Sequence, residues 1–244
     1  MTTWWPYVRL AAAILGFAAL TRQLAIAIGN AQRAETEWGA HLPTVTANFF
    51  SYFTVLSNLI AAVTLVIGAV WMLRHRRDRT PEPLWLSTLF ACASTYMIVT
   101  GIVYNVLLRQ IAIAGISDVW TNETLHVIIP LVMLADVLLA PHRRALPWSS
   151  LWVVAAFPIA WVAYTLLRAG FITAPFTGTA WWYPYPFLDP HLQGGYPGVI
   201  AYVIGIAAVI IAVGAGVIWA GRRQWTGGAK QASAVESERR RASR

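Results

Sequence analysis

The sequence is poor in charged residues, which make up 11% of its 244 positions, whereas hydrophobic residues make up 58%. Soluble domains carry about 25% charged residues, so this composition excludes an ordinary soluble fold. A membrane β-barrel would need short segments of alternating polarity, but the apolar runs here are long and continuous. We therefore predict an all-α, polytopic membrane protein.

Cysteine clusters and nucleotide motifs are also missing. The single cysteine, Cys92, excludes an intrachain disulfide. The sequence has no Cys/His cluster for zinc, no pair of intramembrane histidines for a haem, and no glycine-rich phosphate or dinucleotide motif. We therefore expect neither a metal nor a cofactor. The N-terminal segment has no basic region and no small-residue cleavage site, so we expect its apolar run to be retained.

Six apolar runs are long enough to cross a bilayer. In chain order they are predicted spans 1 to 6, at about residues 7–29, 47–73, 84–108, 122–141, 149–169 and 197–221. The net charge of +8 comes largely from the segments 74–79 and 142–144 and from the tail. Basic residues favour the cytoplasmic side, so we predict that both termini are cytoplasmic (N-in, C-in). Membrane topology, rather than nucleic-acid binding, then explains the charge.

We divide the chain into a six-helix transmembrane domain, residues 1–221, and a basic cytoplasmic tail, residues 222–244. The tail is rich in Ser, Ala, Gly and Arg, and we expect it to be disordered or loosely helical at the anionic inner leaflet. The segment 169–197 is rich in Pro, Gly and aromatic residues. It is either an interfacial aromatic belt or an ordered cap over a cavity.

Two polar residues are expected at similar depths below the extracytoplasmic face. Thr54 lies about 10 Å along predicted span 2, and His126 lies about 6 Å along predicted span 4. Of the five histidines, only His126 falls inside a predicted span, and ionisable residues inside membranes usually face a cavity or a partner. A neutral, purely structural imidazole is the alternative. Pro130 lacks an N–H and should leave the carbonyl of His126 without a helical partner.

Other polar residues fall in the same half of the predicted bundle. Asn48, Ser51, Thr54 and Asn58 step by three or four, which predicts one stripe on span 2. Asp136, in the opposite half, is expected to pair structurally with a polar neighbour or a cytoplasmic arginine. The candidates for substrate binding are Asn58, Arg22, Tyr104, Asn105, Glu123, Trp182, Tyr183, Tyr185 and Asp189.

A hydroxyl beside an imidazole suits nucleophilic acyl transfer, with Thr54 as nucleophile and His126 as general base. Glu123, Asn122 or a backbone carbonyl could orient the histidine, and Arg22 could bind a substrate carboxylate or bridge two helices. Because Thr54 is expected in mid-helix, its N–H should be used within the helix. Side chains must then stabilise the oxyanion, and the candidates are Asn58, Tyr104, Asn105 and Trp182.

Three motifs, "YFTVLSN", "HVIIPLVMLAD" and "WYPYPFLD", resemble the six-pass family of the androgen-induced protein and the androgen-dependent TFPI-regulating protein, especially its bacterial members. The resemblance covers about residues 7–221. It implies an intramembrane threonine hydrolase, and the animal members cleave fatty acid esters of hydroxy fatty acids. The catalytic residues of the family correspond to Thr54 and His126. The Ala- and Arg-rich, Lys-poor composition suits a high-GC bacterium.

The sequence thus predicts a lipid esterase in the plasma membrane, with its site toward the outer leaflet and with a lipid ester and membrane lipids as its partners. Two alternatives remain open. The same polar residues could line the path of a small-solute transporter or channel, although the sequence shows no repeat or paired broken helices. They could also join helices in a non-catalytic lipid-binding protein.

Overall fold

The structure, a computed structural model, describes residues 4–76, 80–111, 118–141 and 143–242, and for 224–242 only the backbone. Every regular element in these ranges is helical, which confirms the predicted fold class. Six helices are long and apolar enough to cross a membrane, and we number them as spans 1 to 6: Trp5–Gln32, Phe53–Arg74, Leu84–Leu108, Val119–Leu139, Ser150–Ala169 and Tyr196–Arg223. Residues 77–79 and 142 of the predicted cytoplasmic basic segments lie outside the described residues.

Span 3 lies at the centre of the bundle. It packs against spans 2, 4, 5 and 6, and span 1 packs along span 2. Small buried residues on span 3, such as Ala93 and Ser94, allow neighbouring helices to approach closely. The middle of the bundle is a fully buried apolar layer that includes Leu65, Met97 and Met133.

Span 2 starts at Phe53, later than the sequence predicts. A separate helix, Leu42–Phe49, precedes it, and a shorter one covers Glu37–Ala40. The Ser51 hydroxyl donates to the carbonyl of Ala47, which competes with continued helix formation. Tyr52 is extended, and its ring lies edge-on to Trp182 and Tyr185. The predicted stripe on one continuous helix is therefore wrong.

Asn48 and Ser51, which lie before span 2, bind the end of span 5 instead. The Arg168 guanidinium donates to Asn48 Oδ1 at 2.8 Å and to Ser51 Oγ at 3.3 Å. Trp161 Nε1 donates to the carbonyl of Ser51. These bonds satisfy polar groups exposed by the break in the helix, so Asn48 and Ser51 hold the chain entering span 2.

Two π-helical segments interrupt spans 3 and 4 at the same end of the bundle. They cover Tyr104–Leu108 and Thr124–Ile128, and α-helix precedes each along the chain. A π-helical turn widens a helix by one residue and frequently occurs at functional sites. Gly101 lies in span 3 just before the first segment, and an added Cβ there would lie 3.0 Å from Pro130, just after the second. Close contact between spans 3 and 4 therefore depends on this glycine.

The opposite end of the bundle contains a buried ionic network around Asp136. Its carboxylate accepts from Arg9 at 2.7 Å, from Arg143 at 2.6 Å and from Trp5 at 2.7 Å. Arg9 also pairs with Glu82 at 3.0 Å. Burial raises the pKa of the Glu82 carboxyl, and the nearby arginines oppose that effect. The expected structural pairing of Asp136 is thus present, whereas nothing in the sequence indicates its pairing with Arg9 or the second pair between Arg9 and Glu82.

The segment between spans 5 and 6 folds back over the end of the bundle that contains Thr54. A short 3₁₀ helix, Pro186–Leu188, buries Phe187 and Leu188 against spans 3, 5 and 6. This packing is that of an ordered cap. The last helix continues from Tyr196 to Ala242, so the described backbone of the tail is helical.

Candidate functional site

Thr54 and His126 line the same cavity. Span 2 contacts the π-helical segment of span 4, so the two residues are on neighbouring helices. The cavity has a volume of about 260 Å³, and its wall also includes Tyr104, Asn122 and Tyr185. We call it the polar cavity. The sequence placed Thr54 and His126 at similar depth, and the fold adds that they face a common space.

Thr54 is the second residue of span 2, because the helix begins at Phe53. The first N–H groups of a helix have no partner within it. The Thr54 N–H therefore donates to the Tyr185 hydroxyl at 3.1 Å, and the Thr54 Oγ1 lies 3.1 Å from the same hydroxyl. The expectation that this N–H is used within a helix is wrong, because the helix is interrupted at residues 50–52.

Tyr185 is held against Thr54 by aromatic packing. Its ring stacks on Phe187 and meets Tyr52 edge-on. Burial raises the pKa of the Tyr185 phenol, although its hydrogen bonds to Thr54 oppose the shift. The phenol therefore stays protonated at neutral pH and can donate a hydrogen bond beside Thr54. The sequence placed Tyr185 near the mouth of a pocket and missed this contact.

His126 is oriented by a backbone carbonyl. Its Nδ1 lies 2.9 Å from the carbonyl oxygen of Asn122, so Nδ1 carries the proton and the neutral ring has its lone pair on Nε2. The imidazole stacks on Tyr104 with ring centroids 3.9 Å apart, and the Asn122 side chain donates to the Tyr104 hydroxyl. Asn122 thus fixes both rings, while Glu123, the first orienting candidate, binds elsewhere.

Asn58 joins span 2 to the π-helical segment of span 4. The Ile129 N–H bonds to the carbonyl of Thr124, five residues back. In that register the carbonyl of Leu125 would need an N–H from Pro130, which has none. Asn58 Nδ2 instead donates to the carbonyl of Leu125 at 3.1 Å and to the carbonyl of Thr54 at 2.9 Å. Proline therefore frees a carbonyl one residue earlier than the sequence predicts.

Three of the candidates for substrate binding form hydrogen bonds or ion pairs with other side chains near the surface. Arg109 bonds to both Glu123 and Asn105 at the ends of spans 3 and 4. Arg22 donates to Asp118 at 2.8 Å, and both of these side chains are exposed. Arg22, Asn105 and Glu123 are not among the residues that line the polar cavity. Arg22 thus bridges two spans, the second of the two roles considered for it.

The remaining candidates lie in the cap. Trp182 packs on Tyr52 and lines a separate cavity of about 320 Å³ between the cap and span 1. Tyr183 packs in the aromatic cluster under the cap. Asp189 accepts from the backbone and ring of His191. None of these three lines the polar cavity, so of the aromatic candidates only Tyr104 and Tyr185 meet Thr54 and His126 there.

A second cavity touches Thr54 from the other side. It has a volume of about 130 Å³ and lies between spans 2, 3, 5 and 6. Most of its lining is aliphatic or aromatic, as with Val99, Val203 and Ile210. We call it the apolar cavity. Four residues line both cavities: Thr54, Tyr104, Leu108 and Tyr185. The threonine side chain therefore lies where an apolar space and a polar space meet.

This arrangement provides the groups that acyl transfer needs: a hydroxyl, an oriented imidazole, and hydrogen-bond donors at a helix start. The polar sequence motifs predicted the hydroxyl and the imidazole. The helix break and the π-helical segments, which determine how these groups are presented, have no clear signal in the sequence. No protein-family model, curated protein or solved structure matches this chain.

Proposed function

We propose that the protein is an integral membrane carboxylic ester hydrolase with Thr54 as nucleophile and His126 as general base and acid. The observation that carries this proposal is that both residues line one cavity, with Thr54 at the N-terminal start of a helix. A hydroxyl alone is a weak nucleophile, so the neighbouring base is essential. The substrate is a lipid ester, such as a fatty acid ester of a hydroxy fatty acid, entering from the bilayer.

The reaction proceeds in two halves. Thr54 Oγ1 attacks the ester carbonyl while its proton passes to His126 Nε2, and the leaving alkoxide then takes that proton as the C–O bond breaks. In the second half, His126 deprotonates water, which attacks the acyl-threonine ester. The carboxylic acid departs, and the proton returns to Thr54. One ester and one water thus give one acid and one alcohol.

The oxyanion is stabilised at the start of span 2. The Thr54 N–H needs no helical partner and is directed at the Tyr185 hydroxyl. That hydroxyl is 3.1 Å from the nucleophilic oxygen, close enough to donate to an oxygen on the attacked carbon. The positive end of the helix dipole adds to the stabilisation.

The membrane orientation follows from the charges. Spans alternate in direction, so the described basic residues Arg74, Arg76, Arg144 and Arg223 lie at the end opposite Thr54. The positive-inside rule places this end in the cytoplasm and both termini with it. The catalytic site then faces the outer leaflet of the plasma membrane, which we take to be bacterial.

The apolar layer across the middle of the bundle favours hydrolysis over transport. Leu65, Met97 and Met133 are fully buried between the polar cavity and the Asp136 network. Polar groups at the two ends are separated by this layer, whereas a transport path needs them to line a route across the bilayer. The polar cavity is thus suited to reaction within one leaflet.

The direct test is ester turnover by the purified protein in detergent. With long-chain esters of hydroxy fatty acids, replacing His126 by alanine should lower kcat by about 10²–10⁴-fold because the general base is lost. His75→Ala, at the opposite end of the bundle, is the matched control. Full turnover by a folded His126→Ala protein would exclude this mechanism. Solute flux into liposomes without ester turnover would favour a transporter.

Tyr185→Phe tests the oxyanion assignment. The change keeps the ring and removes the hydroxyl, so kcat should fall by about 10²–10³-fold with little change in KM. Tyr96→Phe is the matched control, because its buried hydroxyl donates to the carbonyl of Val154 and Tyr96 lines neither cavity. If the two variants lose the same stability and the same activity, the Tyr185 hydroxyl has only a structural role.

A further inference from the structure

The polar cavity and the apolar cavity meet at Thr54. The polar cavity contains His126 and Asn122, whereas the apolar cavity lies among side chains of spans 2, 3, 5 and 6. Thr54, Tyr104, Leu108 and Tyr185 line both. A carbonyl carbon bonded to Thr54 Oγ1 would therefore lie at the junction, with one cavity on each side.

The position of His126 determines which part of an ester lies on which side. The general acid must protonate the leaving alkoxide, so the alcohol part has to lie within reach of the imidazole. His126 lines the polar cavity and is not among the residues lining the apolar one. The alcohol part therefore belongs in the polar cavity, and the apolar cavity remains for the acyl part.

We propose that the apolar cavity is an acyl-chain site that measures chain length, an inference that rests on the proposed hydrolase function. Its ligand is an unbranched, uncharged acyl chain, and the substrate is an ester of such an acid with a more polar alcohol. Burial of each methylene in an apolar pocket favours binding, so the fit of the chain decides selectivity.

Ile210 is the lining residue of span 6 that lies deepest in the bundle. The cavity follows span 6 from Val203 to Ile210, which is about 10 Å along a helix. Val203 packs in the cluster under the cap, whereas Ile210 packs with Val99 and Val154 deeper in the bundle. Ile210 lines the cavity and is 8% exposed, so we expect its side chain to limit the length of a bound chain.

Ile210→Ala should shift selectivity toward longer acyl chains. The assay uses purified protein and 4-nitrophenyl esters from acetate to palmitate, which vary the acyl part and keep one alcohol. The ratio of kcat/KM for decanoate to that for butyrate should rise at least about tenfold, because removing side-chain carbons opens room for a few more methylenes. Ile211→Ala is the matched control, since Ile211 is exposed on the same helix and does not line the cavity. Ala207 also lines the cavity, so Ala207→Leu should reduce the space in it and shift selectivity toward shorter chains.

The outcomes separate this inference from the proposed function. A longer-chain shift in Ile210→Ala and a shorter-chain shift in Ala207→Leu, with Ile211→Ala unchanged, support the acyl site. If wild type hydrolyses the esters and neither cavity variant changes the chain-length profile, the acyl site is wrong while the hydrolase stands. The variants can also be tested with palmitate esters that differ only in the length of the alcohol. If selectivity changes for these esters alone, the assignment of the two cavities is reversed. If wild type turns over none of these esters or the hydroxy-acid esters, both proposals fall. If Ile210→Ala does not fold, Ala207→Leu alone decides.

Discussion

Thr54→Ala should abolish the proposed ester hydrolysis, with kcat lower by at least about 10³-fold, because it removes the proposed nucleophile. Thr54 is 7% exposed and packs at the start of span 2. Alanine is smaller and keeps the backbone N–H, so the folded structure should persist. Turnover and thermal unfolding in detergent should both be measured.

Thr54→Ser is the matched variant, since it keeps a hydroxyl and removes only a methyl group. It should retain measurable turnover, reduced because serine lacks the β-branching that restricts χ1 and aims the oxygen. A fluorophosphonate probe followed by intact-mass analysis should add one adduct to the wild-type protein and none to Thr54→Ala. An adduct of equal yield on Thr54→Ala would move the nucleophile to another residue.

The six-helix architecture was predictable because it depends on long apolar runs. Bilayer thickness sets their length, and span 3 falls at the residues expected from hydropathy alone. The start of span 2 was not predictable in this way. Residues 47–52 contain no proline or glycine that would indicate a break. The break involves Ser51 and the packing of Tyr52 against the distant cap.

The candidate site was partly predictable for a similar reason. An intramembrane histidine is rare enough to be noticed alone. Membrane helices commonly contain threonine, so Thr54 is noticeable only by its similar depth. The contact between Tyr185 and Thr54 joins residues 131 positions apart, and it exists only because the cap folds back over the bundle. The π-helical register moves the freed carbonyl from His126 to Leu125, where Asn58 of span 2 donates to it. Such features arise from tertiary structure.

The network at the other end shows what the sequence could and could not reveal about charge. Asp136 is noticeable because it is an acid inside an apolar run, and its pairing was expected. Arg9 lies within span 1, yet it is only 1% exposed and carries two carboxylate partners. Its guanidinium also lies 4.1 Å from the centre of the Phe90 ring. Hydropathy averages hide a single buried arginine whose partners are far away in the sequence.

Asp136→Asn should therefore be strongly destabilising, by about 3–5 kcal/mol, because it leaves two buried guanidinium groups without their carboxylate. Arg9 would keep Glu82 alone, and Arg143 would lose its bond to Asp136 Oδ2. The measurement is the free energy of unfolding in mixed detergent micelles. Asp118→Asn is the matched control, since it breaks an exposed pair with Arg22 and should cost at most about 1 kcal/mol.

The same variant tests whether the Asp136 network affects the polar cavity at the other end of the bundle. Folded Asp136→Asn protein should retain the wild-type kcat, because the apolar layer of Leu65, Met97 and Met133 lies between the network and Thr54. Unfolding free energies that match between Asp136→Asn and wild type would show that the ion pairs contribute nothing to stability. A lower kcat in the folded variant would instead show that the network is coupled to the polar cavity, as a transport path would require.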